Sequence, residues 1–260
     1  MAMVGLLILA GHERLANGSI TMRKGRMTDD TAGRRRGRPS VGVLNRDRIV
    51  DAALAELRAS GLRKLTMRAV AVRLGVTVAA LYNHVPSRAG LLVAVQERFT
   101  AGLDVSGFGI VPLREALSRW AWSYLDQLRR RPELLPLIVE VPLAQAPLTS
   151  GMYQRVTAGF AAAGWPEESI IASMSILETF IFGAAVDSPG PTDVYAPYDP
   201  ANAPQMGRVY EAFARSVRER QTRAHDLVFT MGLDAALIGL HHIWGTGRGW
   251  AGVRLPAQRQ

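Results

Sequence analysis

Between Asn45 and Gly61, apolar residues recur at Ile49, Val50, Ala53, Leu54 and Leu57. That spacing places them on one stripe of a helix. Asn45 suits the N-cap, Asp47 the first turn, and Gly61 a left-handed stop. A second short helix is predicted over Met67–Leu74, opened by Thr66 and ended by Gly75. A third runs from Val78 to about His84 behind Thr77, and Pro86-Ser87 breaks it. Ser87 then caps a fourth helix that carries Leu91, Leu92, Val95 and Phe99. Four helices this close, with only Gly75-Val76-Thr77 between the second and third, describe a helix-turn-helix.

The later chain is predicted to be helical as well. Ala116, Leu117, Trp120, Tyr124 and Leu128 mark a helix over Leu113–Arg131, and prolines at 132, 136, 142 and 147 divide the next stretch. Met152–Ala163 follows and ends at Gly164; Pro166 opens Glu167–Val186. Five prolines make residues 188–204 a long loop. Helices over about 205–220 and Thr222–Trp244 close the chain. No segment shows the two-residue alternation of a half-buried strand, so the fold class is all-α. Ile170–Val186 is apolar, but Ser173, Ser175 and Glu178 interrupt it, which favours a buried helix. Val4–Ala10 is too short to span a bilayer, so no membrane partner is expected. The expected organisation is a poorly ordered arm over 1–37, a three-helix helix-turn-helix domain over 38–100, a helical domain over 101–250 and a tail over 251–260.

Composition adds location and exclusion. The 260 residues are 48% hydrophobic and 20% charged, with mean hydropathy +0.06, as in ordinary globular chains. With zero cysteines, disulfide scaffolds, thiol nucleophiles and thiolate metal sites are excluded, which suits a reducing cytoplasm. Residues 1–100 hold 17 Lys and Arg against 7 Asp and Glu, whereas residues 101–260 hold 14 against 15. A basic third joined to a neutral remainder points to a polyanion-binding module beside a neutral partner domain. No serine lies in a Gly-x-Ser-x-Gly elbow, and no P-loop is present. Gly245-x-Gly247-x-Gly249 follows the last helix and reads as a tail. Adjacent side chains of a helix diverge by about 100°, so His241-His242, even with His225, does not make a metal site. Neither an enzyme nor a cofactor is expected.

A helix entering the major groove must present short or contact-capable side chains at its N-terminal end. The third helix does so with Thr77, Val78 and Ala79. Two methyl-bearing side chains can meet a thymine methyl, and the Thr77 hydroxyl can meet phosphate. Tyr82 faces outward beside an inward Leu81, and Tyr82 and His84 offer polar atoms to the backbone. Lys64 and Thr66 flank the second helix, Arg68 can reach a guanine edge, and Arg88 can grip a phosphate.

Together, Leu65-Thr66-x-Arg68, Leu74-Gly75-Val76, Leu81-Tyr82-x-His84 and Arg88-x-x-Leu91-Leu92 resemble the TetR family of bacterial transcriptional regulators over about residues 45–100. The resemblance implies base contacts from Arg68 and residues 77–79, and phosphate contacts from Thr66, Tyr82, His84 and Arg88. It also implies a homodimer that leaves a palindromic operator when a small-molecule effector binds. Val78 departs from relatives that carry a base-reading amide there, so no operator sequence is implied.

Other candidates have a bland reading beside the functional one. Arg34-Arg35-Arg36-Gly37-Arg38-Pro39 resembles an AT-hook, with Arg36 and Arg38 lying in a minor groove; otherwise it is a solvated basic tail. Trp120, Tyr124, Met152, Phe180, Phe182 and Phe229, with Glu178, Asp187 and His225 as polar groups, either line an effector cavity or pack as plain core. Gly232, Ala235, Ala236 and Gly239 give a small-residue face for dimerisation, or for a close crossing within the chain. The reading is a cytoplasmic, DNA-binding regulator of repressor type. Its rival is a helical small-molecule-binding protein or enzyme with a nonspecific basic anchor.

Overall fold

The computed structural model describes residues 43–187, 196, 197, 199 and 201–244. The arm with Arg36, Arg38 and the AT-hook-like segment, most of the proline-rich stretch, Gly245–Gly249 and the tail lie outside the described residues. All regular structure among the described residues is helical. Two compact units divide between Leu91 and Leu92.

In the first unit, α1 (Arg46–Ser60) is capped by Asn45, whose Oδ1 accepts the Arg48 amide at 2.9 Å. Gly61 ends it with φ 77° and ψ 169°, a positive-φ extended geometry rather than the left-handed helical one expected. Helix α2 (Met67–Leu74) starts on Thr66, whose Oγ1 accepts the Ala69 amide, and stops at Gly75 with φ 67° and ψ 31°. There the Val76 amide reaches back to the Ala71 carbonyl, which completes the left-handed cap. Helix α3 (Val78–Tyr82) is shorter than the pattern suggested, because Asn83 already serves as its C-cap. Ile49, Ala53, Leu57, Leu65, Val70 and Leu81 are almost fully buried between the three helices. The Arg73 guanidinium bonds Glu56 at 2.8 and 3.1 Å and ties α2 to α1. Helix α4 (Arg88–Thr100) begins in this unit and ends in the other.

The second unit is built on α5 (Leu113–Arg130). Its buried positions, Leu117, Trp120, Ala121, Tyr124, Leu125 and Leu128, follow one helical face. That face packs against α8 (Glu167–Asp187), and α8 packs in turn against α10 (Ala224–Ile243). The prolines act as expected: Pro132 opens a 3₁₀ turn, and α6 (Leu135–Glu140) is short. Helix α7 spans Pro147–Ala162, so it starts a turn and a half earlier than Met152. Its first amides are capped from α4, where the Glu97 carboxylate accepts the Leu148 and Thr149 amides at 2.8 and 3.0 Å. Helix α9 (Pro204–Glu219) buries none of its residues.

Candidate nucleic-acid interface and buried polar cluster

The helix-turn-helix presents its candidate contacts on a shared rigid base. Thr77, Ala79, Tyr82 and His84 are exposed on and just after α3, and Val78 is half-buried. Tyr82 points out while its neighbour Leu81 has no exposure at all, which fixes the facing of α3. Thr77 Oγ1 accepts the Ala80 amide at 3.2 Å, so its oxygen caps the helix while its hydrogen remains a donor. Lys64 and Thr66 are exposed before α2, and Arg68 stands exposed on its first turn. Eight Arg and Lys against three Asp and Glu lie in residues 43–91. The Arg73 hydrogen bond holds the Glu56 carboxyl below the usual carboxylate range, so Glu56 stays ionised and its charge cancels that of Arg73.

Arg88 is turned toward protein. Its Nε donates to the Leu65 carbonyl at 2.8 Å and its NH2 to the Leu62 carbonyl at 3.0 Å. Those bonds hold the 3₁₀ turn Leu62–Lys64 in front of α2. The guanidinium therefore positions Lys64 and Thr66, a role that sequence pattern does not signal because both acceptors are backbone groups.

In the second unit the aromatic candidates separate into two groups. Tyr124 lies 5.6 Å from Trp120, 5.6 Å from Phe182 and 5.2 Å from Phe99, ring centre to ring centre. Tyr153, absent from the sequence expectations, donates its hydroxyl to the buried Glu178 carboxylate. Burial pushes Glu178 up to about 7, against the opposing pull of the Tyr153 hydrogen bond. Burial likewise raises both tyrosines well above their ordinary range, with the neighbouring Glu178 charge adding to it. Trp120 Nε1 and Ser173 Oγ are buried and find no hydrogen-bond partner among the described residues. The Glu178 carboxyl and the Tyr124 and Tyr153 phenols, with the Trp120 and Phe182 rings against Tyr124, form the polar centre of this domain.

Phe180 and Phe229 belong elsewhere. They stack at 5.2 Å, and Trp122 meets Phe229 edge-on at 4.7 Å. Gly232 sits against this stack, where a Cβ would come within 2.6 Å of Phe180. Gly232 thus makes a close crossing inside the chain, whereas a Cβ on Gly239 would meet nothing within 4 Å. Ala235 is exposed and Ala236 half-buried. Met152 is buried on α7. Asp187 and His225 stand 3.8 Å apart where α8 ends and α10 begins, with Asp187 exposed. Burial raises the Asp226 carboxyl, but bonds from Arg223 and Arg129 outweigh it and hold it low. Among the described residues, no three His, Asp or Glu gather as a metal site.

The arrangement defines a class: an all-helical protein with a helix-turn-helix unit and a separate helical domain holding a buried polar centre. Residues 49–95 match the family model described as bacterial regulatory proteins, tetR family. The chain is 30% identical over 154 residues to the HTH-type transcriptional repressor DrrR1 of Streptomyces coeruleorubidus, covering 59% of this chain and 57% of that protein. It is 38% identical over 95 residues to the HTH-type transcriptional repressor KstR of Rhodococcus jostii (strain RHA1), covering 36% and 44%. These matches span about half the length of either relative. The structure of the TetR family protein ActR of Streptomyces coelicolor in complex with actinorhodin superposes with TM-score 0.61 at 21% identity, covering 78% of this chain and 97% of that one. Residues 49–95 are thus a helix-turn-helix unit of the tetR family type, and the likeness to ActR shows a shared fold.

Proposed function

We propose that this protein is a cytoplasmic, non-catalytic transcriptional regulator that represses from a DNA operator as a homodimer and is released by a small molecule. The observation that carries the reading is α3 itself. It is short and capped, and it presents Thr77, Ala79 and Tyr82 to solvent, with Arg68 exposed on the preceding helix. That is what a recognition helix requires: small residues where the backbone nears the bases, and donors for phosphate at its edges. The proposed organisation keeps 38–100 for DNA and 101–250 for effector and partner. Two relatives are named as transcriptional repressors, and ActR was crystallised with a small molecule. The Tyr124–Tyr153–Glu178 centre, with Trp120, Phe182 and Ser173, is the proposed effector site; Phe180, Phe229, Asp187 and His225 support it from outside.

The test is a comparison of specific and nonspecific binding by full-length protein. DNA selected from random sequence supplies the operator. Arg68→Ala is expected to cost about 1–3 kcal/mol on the selected site, concentrated at one base position. Binding to random DNA should change little. Equal loss on both DNAs would remove Arg68 from base reading, and absence of any selected site would favour the nonspecific anchor.

A further inference from the structure

The start of α5, the end of α7 and the last turns of α10 surround a cavity of 550 Å³. It lies within the second unit and shares no residue with the Tyr124–Tyr153–Glu178 centre. Its volume falls in the range of about 300–1,000 Å³ typical of small-molecule sites. The walls are apolar: Leu117, Trp165, Leu237 and Leu240 turn side chains into it that are otherwise at most 8% exposed. The polar lining is of one kind. Arg114, His241 and His242 stand around it, and no carboxylate lines it among the described residues.

Arg114 is held in place without being used up. Its NH2 donates to Asp234 Oδ1 at 2.8 Å, with the two side chains 59% and 54% exposed. Such an exposed pair contributes little to stability, and a guanidinium has five N–H donors in a fixed fork. A second carboxylate can therefore share it, and charge-assisted bonds of this kind are the stronger ones. Asp234 is not among the lining residues, so within the lining a cationic head meets only Arg114 and the imidazoles.

We propose that this cavity binds an amphipathic monoanion, a single carboxylate on an unbranched apolar chain, with its head at Arg114 and His241 and its tail between α5, α7 and α10. This would be a second small-molecule site, and its test reads ligand binding alone, so failure of the DNA-binding reading leaves it standing.

Dodecanoate, dodecylamine and dodecanol serve as probes, titrated calorimetrically into full-length protein below their micelle concentrations. Dodecanoate should bind one per chain, and dodecylamine at least about tenfold more weakly. Arg114→Gln should weaken dodecanoate about tenfold and leave dodecanol unchanged. Ala163→Trp, which projects into the cavity from its rim, should abolish both. Thermal midpoints of the free variants close to that of the parent would show that they fold. 12-Bromododecanoate should quench tryptophan fluorescence, and Trp165→Phe should remove most of that quenching. Absence of dodecanoate binding, equal binding of the amine, or dodecanoate binding that survives Ala163→Trp would each overturn the proposal. So would a change of sedimentation state in Ala163→Trp without dodecanoate binding in the parent, which would make the groove a contact between copies of the chain.

Discussion

Glu178 is buried, and the Tyr153 phenol donates a hydrogen bond to its carboxylate. Burial raises its folded pKa to about 7, above the ordinary value of 4.5. The folded protein therefore holds this proton more tightly than the unfolded chain does. The associated stability is fully present below about pH 4.5 and lost as pH rises through about 7, the reverse of a salt-bridged carboxylate. Above that window the buried charge costs up to about 3 kcal/mol. Glu178→Gln keeps an acceptor for Tyr153 and removes the titration. It should therefore unfold in urea like the parent at pH 5 and gain stability over it at pH 8. Parallel stability profiles for the two proteins would show that Glu178 is hydrated or otherwise neutralised. The candidate site was legible in the sequence to an uneven degree. Exposed Arg68, Tyr82 and His84 followed from local spacing. Tyr153 did not, because its partner lies on another helix, and Arg88 did not, because its acceptors are carbonyls that every residue carries.

Helix boundaries show the same division at the next scale. Where a cap is local, as at Asn45, Thr66 and Thr77, the predicted start and the structural start agree. Helix α7 starts early because its cap is not local: Glu97 reaches its first turn from about fifty residues away. Thr149 Oγ1 completes the arrangement, donating to Glu97 at 3.1 Å and lying 2.9 Å from Thr100 Oγ1. A carboxylate at a helix N-terminus satisfies orphan amides and faces the positive end of the dipole. Glu97→Ala leaves two amides and a hydroxyl without that acceptor, at a cost of about 1–3 kcal/mol. Amide exchange at Leu148 and Thr149 should accelerate before the rest of α7, and Glu97→Gln should recover part of the protection. Unchanged exchange in Glu97→Ala would mean that water caps the helix equally well.

At the scale of the whole molecule, α8 and α10 are long and apolar enough to cross a membrane by length and composition alone. Each nonetheless carries a patterned row of exposed positions. Ile176, Thr179, Gly183 and Val186 on α8, and Val228, Met231, Ala235 and Ile238 on α10, are exposed at a 3-4-3 spacing. Such seams bury against other helices, and two copies related by a two-fold axis would form a four-helix contact. Gly232 and Gly239, seven residues apart, border the seam on the same side of α10, Gly232 against Phe180 and Gly239 with nothing within 4 Å of a Cβ. The proposed dimer interface includes Ala235 and Gly239; Gly232 is left out because it is taken up by Phe180 of the same chain. Placing two charges in the seam with Met231→Arg and Ala235→Arg should convert a sedimenting dimer to a monomer, while helical content is retained. A dimer places two α3 helices on one operator with half-site centres about 34–36 Å apart, or a multiple of that. The monomeric variant should accordingly lose its preference for a selected palindrome over random DNA, yet retain weak, salt-sensitive binding through the basic first unit. A variant that still sediments as a dimer would move the interface away from this seam. A monomer that still prefers the palindrome would separate dimerisation from recognition.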